Sequence, residues 1–167
     1  PDLADAKTAF ADATGCMPTD GGAHNGLGTR NALVSFGTST YLEIIAPDSE
    51  QSLEGTFGGV LATLPIVVPL HWAVRVTDLT HAAGRARDLG FRPGPIRATS
   101  RTQPSGQRLD WQLMGVAGHD LGGFVPFYID WLQCPHPSTT NPVVGELLSF
   151  VISAPRGPIH ALLDNTP

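Results

Sequence analysis

Two acids in this chain sit where an acid is costly. Glu43 lies inside Tyr41-Leu42-Glu43-Ile44-Ile45 and Asp130 inside Phe127-Tyr128-Ile129-Asp130-Trp131. An unpaired carboxylate among large apolar residues costs several kcal/mol unless that face is wet, paired or bound to a cation. His71 stands in a third run of this kind, Leu70-His71-Trp72-Ala73-Val74-Arg75-Val76, whose apolar and mixed positions alternate. Alternation places Tyr41 with Glu43, Arg75 with His71, and Tyr128 with Asp130. Arg75 either binds a substrate carboxylate or pairs with one of the acids. Tyr41, Tyr128, Trp72 and Trp111 offer aromatic faces to a ligand. His24, in Gly21-Gly22-Ala23-His24-Asn25-Gly26, is read as a loop histidine. Such a residue is either a general base near neutral pH or a plain turn residue.

The elements that must position these residues repeat along the chain. A helix is expected over Leu3–Thr14, with Asp2 as N-cap and Gly15 as stop, and another over Leu79–Leu89, with Asp78 and Gly90 in the same roles. The offset between the copies is 76 residues at the Asp and 75 at the Gly. Gly- and Pro-rich stretches follow, Met17–Gly28 and Arg92–Gly106. Strands are then expected over Arg30–Phe36 and Arg108–Met114, at an offset of 78. Each copy closes on the acid-bearing strand, where a glycine-rich insertion around Gly115–Gly123 widens the offset to 87. Only the second copy has an opening strand, Leu70–Val76. A third, partial copy is expected near the end, with Leu148, Phe150 and Ile152 as a strand, Ser149 where His71 stood, and a short helix over Pro158–Leu163. Internal similarity of this kind sets the architecture before any motif does.

Composition narrows the function classes. With 167 residues, 41% hydrophobic and 15% charged, the chain can bury a core. A net charge of -5, one lysine (Lys7) and scattered arginines argue against nucleic acid. No apolar run approaches the roughly 20 residues of a membrane span. Cys16 and Cys134 form neither a CxxC nor a disulfide framework, so a reducing, cytoplasmic setting is expected. No strand-anchored GxGxxG and no GxSxG elbow is present, which removes support for dinucleotide binding and serine hydrolysis.

The duplicated strand–helix–strands pattern resembles the vicinal-oxygen-chelate superfamily (glyoxalase, bleomycin resistance, extradiol dioxygenase), and within it the glyoxalase-like domain family. The resemblance is carried by Gly21–Asp48, by His71–Leu79, and by the run from Leu89 through Trp111 to Asp130-Trp131 and Pro135-His136-Pro137. It implies an α+β fold of paired βαβββ modules forming cupped mixed sheets with helices on the outer face. Residues 1–46 would be the first module without its opening strand, 47–68 a linker, 69–137 the second module, and 138–167 a linker with the partial third unit. It also implies a divalent-metal site with Glu43, His71 and Asp130 as ligands. One imidazole and two carboxylates suit Zn, Mn, Ni or Fe(II). From the residues themselves, His24 is the candidate catalytic residue, and Tyr41, Arg75, Trp111 and Tyr128 are the candidate substrate contacts.

Two function classes follow. One is a metal-dependent lyase, isomerase or dioxygenase acting on a small oxygenated substrate. The other is a metal-free binding protein of the antibiotic-sequestering kind. The first module's opening strand would precede Asp2, so three ways of filling its slot are expected: a longer N-terminus, a strand from a partner in a homodimer, or residues 147–154 folding back.

Overall fold

A computed structural model describes residues 2–103, 105–153 and 158–163, which fall into two compact units. Unit 1 comprises residues 1–68, 100–109 and 135–149, and unit 2 comprises residues 69–99, 110–134 and 150–167. The fold is α+β with mixed sheets, as expected.

In unit 1, α1 (Leu3–Thr14) starts where the Asp2 side chain accepts from the Ala4 N–H and stops at Gly15, whose φ of 73° is left-handed. Strands β1 (Thr19–His24), β2 (Thr29–Phe36) and β3 (Thr40–Pro47) form an antiparallel meander, with β2 paired to both neighbours. β2 and β3 register from Thr29↔Pro47 to Phe36↔Thr40. Ala32 and Ala46 face Leu3 of α1, with Ile44 packed against them. The opposite face therefore carries Thr29, Asn31, Leu33 and Ser35 of β2, with Tyr41, Glu43 and Ile45 of β3. A short helix, α2 (Phe57–Ala62), lies in the expected linker and is capped by Thr56.

In unit 2, β4 (Ala73–Arg75) precedes α3 (Leu79–Asp88), whose N-cap Asp78 accepts from the His81 N–H. Next come β5 (Arg92–Pro93), then β6 (Arg97–Thr102), whose residues Arg101 and Thr102 belong to unit 1 and pair with β1, and β7 (Arg108–Met114). β8 (Val116–Ala117) pairs with β5, while β9 (Phe127–Asp130) pairs in parallel with β4 and antiparallel with β7. Unit 1 then receives β10 (Val143–Gly145), which pairs in parallel with β2. Leu79, Ala82 and Ala83 of α3 pack on Met114 and Tyr128. Ala86, Phe91 and Val125 pack on Ile159 and Leu162 of the closing helix, α4 (Pro158–Leu163).

Three expectations change. Met17–Gly28 is not all loop, since β1 occupies its middle, and Arg92–Gly106 contains β5 and β6. The opening strand of the second copy shrinks from Leu70–Val76 to Ala73–Arg75, because its partner β9 begins only after Pro126, which has no N–H to donate. The third-copy strand does not form among the described residues: Leu148 is 91% exposed and 148–153 are irregular, although the helix after them is present. Among the described strands, β3 pairs with β2 alone.

Candidate functional site

The polar face of unit 1 gathers His24, Thr29, Asn31, Glu43 and Arg101. His24 is the last residue of β1 and is buried at 5% exposure, not a mobile loop residue. The register puts it opposite Thr29 on β2 and Arg101 on β6. Asn31 Nδ2 donates to Glu43 Oε1 at 2.6 Å, and Arg101 Nη1 donates to Asn31 Oδ1 at 3.1 Å. These two bonds fix which way the Asn31 amide points. Asn31 Nδ2 also faces His24 Nε2 at 3.3 Å, so Nε2 is the unprotonated nitrogen and Nδ1–H donates to Thr29 Oγ1 at 3.0 Å.

Burial is the main influence on His24 and holds its pKa below 6.5; Glu43 pulls it upward and Arg101 pushes it down. The imidazole is therefore neutral at neutral pH, and the 3.7 Å separation of Nε2 from Glu43 Oε1 is not an ion pair there. Burial, and then Glu43, raise the pKa of Tyr41 and keep its phenol protonated. The Tyr41 ring meets His136 edge-on at 5.3 Å. Burial lowers the Arg101 pKa, opposed by Glu43 and Tyr41. Glu43 combines two properties: Oε1 is held by Asn31, whereas Oε2 accepts no hydrogen bond from the described residues, and the side chain is 32% exposed.

The remaining candidates lie in unit 2. His71 precedes β4 and is exposed at its surface, with the protein packed around it lowering its pKa. Arg75 ends β4 and is exposed. Asp130 ends β9, where Oδ1 accepts from the Leu132 N–H at 2.8 Å. Alternation gives Asp130 the face on which Tyr128 meets α3, while Arg75 registers with Ile129 on the other face. Tyr128 is a core residue, 2% exposed, with its hydroxyl donating to the Leu162 carbonyl at 3.4 Å. Trp111 is also buried, its ring 5.2 Å from that of Trp131.

The donors in either unit taken alone do not fit a resident divalent ion. The Asn31 NH2 stands between the two donors of unit 1, Glu43 Oε1 and His24 Nε2, and presents hydrogens where a cation would sit. Among the described residues no group of three or more His, Cys, Asp and Glu is placed to hold a metal.

The sequence reading missed Thr29, Asn31 and Arg101. Thr29, Asn31 and Ser35 did leave a trace, as polar residues on the one face of β2 that also carries Leu33. Arg101 left none, because its place depends on pairing between β1 and β6.

The sequence matches the model of the glyoxalase-like domain family over residues 1–164. This chain belongs to the glyoxalase-like domain family. No curated protein matches it significantly. Solved structures that resemble this glyoxalase-like domain include two of known source. One is a hypothetical protein from Staphylococcus aureus (TM-score 0.57, 18% identity, covering 72% of this chain and 52% of that one). The chain thus spans about half the length of that protein. The other is methylmalonyl-CoA epimerase from Mycobacterium tuberculosis (TM-score 0.50, 19% identity, 83% of each chain). At these identities the likenesses speak for the fold. No helix among the described residues is long and apolar enough to cross a membrane.

Proposed function

We propose that this glyoxalase-like domain is an isomerase-type enzyme that moves a proton on a carbon next to a carbonyl in a small oxygenated substrate, with Glu43 as the base. The observation that carries this reading is the asymmetry of Glu43, with one oxygen anchored by Asn31 and the other open. Anchoring orients the carboxylate without occupying the lone pairs that take the proton. The substrate C–H bond breaks, the proton joins Glu43 Oε2, and the electron pair moves onto the carbonyl oxygen. Return of the proton from Oε2 to the same face is exchange. Its return after the enolate has turned its other face to Glu43 completes an epimerisation, the electron pair moving back from oxygen to carbon. Tyr41, protonated and on the same face as Glu43, is the donor for the developing oxyanion. His24 stays neutral behind Glu43 and takes no proton in this scheme. An isomerase is also what the epimerase relative carries on this fold.

Deuterium exchange tests the reading without a known substrate. A panel of small α-substituted carbonyl compounds and thioesters in D2O is followed by proton NMR. Wild type should accelerate exchange at the α-carbon of at least one compound, and Glu43→Gln should lose about 100-fold or more of that rate. Equal rates with and without the carboxylate would remove Glu43 from the base's role. Binding of panel compounds with no exchange would instead mark a ligand-sequestering protein.

A further inference from the structure

Arg101 is the least expected member of the cluster. It is 2% exposed, and among the described residues no carboxylate lies within ion-pairing distance of it. Its Nε is buried with no hydrogen-bond partner among the described residues. A buried guanidinium with an unmade bond, and with the Glu43 carboxylate acting on it only from beyond ion-pairing distance, is a poor device for stability, since an apolar residue of similar volume would cost the fold less. The side-chain acceptor it does reach is Asn31 Oδ1, contributed by a strand 70 residues away in the chain.

An Asn amide has two orientations that differ by exchange of a donor and an acceptor. With Oδ1 on Arg101, the NH2 is delivered to Glu43 Oε1. In the reverse orientation the Asn oxygen would confront the carboxylate oxygen and the NH2 would confront the guanidinium. Both contacts would repel. Arg101, Asn31 and Glu43 therefore form a one-way chain of donors ending on the carboxylate. Gly21 makes room for it, since a Cβ at that position would collide with Asn31 Oδ1, Arg101 Nη1 and Leu33 Cδ1.

We infer that Arg101 is a positioning residue that locks the Asn31 amide in the orientation that holds and aims Glu43. The inference rests on the proposed proton transfer for its catalytic consequence, but not for its structural one. Arg101 touches neither Glu43 nor, in this scheme, the substrate.

The test has two readouts. The first is the side-chain amide signal of Asn31 in a 15N–1H correlation spectrum, assigned by loss in Asn31→Ala. In Arg101→Met these signals should shift and their exchange with water should quicken, while the backbone spectrum away from β1, β2 and β6 stays in place. Should that variant fail to fold, Arg101→Lys, which keeps the charge but not the planar fork, serves for the same measurement. The second is α-proton exchange. Arg101→Met should lose about 100-fold in kcat with KM little changed, as misplacement of a reacting group does. Added guanidinium ion should restore part of the rate in the smaller Arg101→Gly, and ammonium should not. Unchanged Asn31 amide signals in a folded Arg101 variant would overturn the inference. If wild type exchanges nothing, the proton-transfer reading falls and the amide signals alone decide the role of Arg101.

Discussion

His24 shows at the scale of one residue how surroundings set a charge. Burial lowers its pKa more strongly than Glu43 raises it, and Arg101 adds to the lowering. An unfolded histidine binds its proton near 6.5, whereas the folded one must be driven to lower pH. Between those two values the unfolded chain holds more protons, so stability rises with pH. The penalty is absent above 6.5, grows as the pH falls to the folded value, and is constant below it. Thermal melts from pH 7.5 down to 5 should therefore show wild type losing stability faster than His24→Gln; parallel curves would mean that His24 is not held neutral by the fold. Glu43 and Tyr41 were legible as chemistry because each breaks an apolar pattern in its own strand. His24 was legible as a candidate base but not as a buried one, since its surroundings come from Thr29, Asn31 and Arg101. A single strand's sequence carries which face a residue takes, not which distant strand will lie beside it.

At the scale of elements, the glycines of β1 account for the main misreading. Gly21-Gly22-Ala23-His24-Asn25-Gly26 has the composition of a turn, and turn chemistry is the usual reason for such a run. Here Gly21 and Gly22 serve a strand instead, and of this run's glycines only Gly26 belongs to the turn that follows. The register slips between Asp20 and Gly22, so that Gly21 is the extra residue of a bulge, and Gly22 takes φ of 120° against the backbone of Thr102. A Cβ at Gly22 would strike the Thr102 carbonyl oxygen, in a backbone region that other residues avoid. Gly84 is the opposite case, lying inside α3 with open space where a Cβ would go. Gly22→Ala should cost at least about 2 kcal/mol, from strain and collision together. Gly84→Ala should gain roughly 0.5–1 kcal/mol from helix propensity. Denaturant titration of both variants reads the two signs; a neutral Gly22→Ala would mean that β1 does not approach β6 this closely. Helices were more legible than strands because their caps are local. Asp2, Asp78 and Gly15 do what their positions announced, whereas the length of β4 depended on Pro126 in its partner.

Over the whole chain, the two copies read from the offsets correspond to elements that form, and both helices are capped by an Asp side chain. The third copy is where pattern and structure part. Leu148, Phe150 and Ile152 alternate as a strand should, yet alternation only describes a surface that could pair, and a strand forms only where an edge receives it. Leu148 and Val151 are instead 91% and 82% exposed, beside Leu147 and Phe150, which are also exposed. An apolar run this open favours self-association at high concentration. Replacing Leu148 and Val151 together by Glu should leave stability within about 0.5 kcal/mol, because neither side chain gives up buried contacts. The same double variant should scatter less light than wild type as concentration rises. A drop of several degrees in its melting temperature would contradict this exposure, and would mean that residues 147–153 are packed on a partner edge in solution. Unchanged melting with unchanged scattering would place the association elsewhere on the surface.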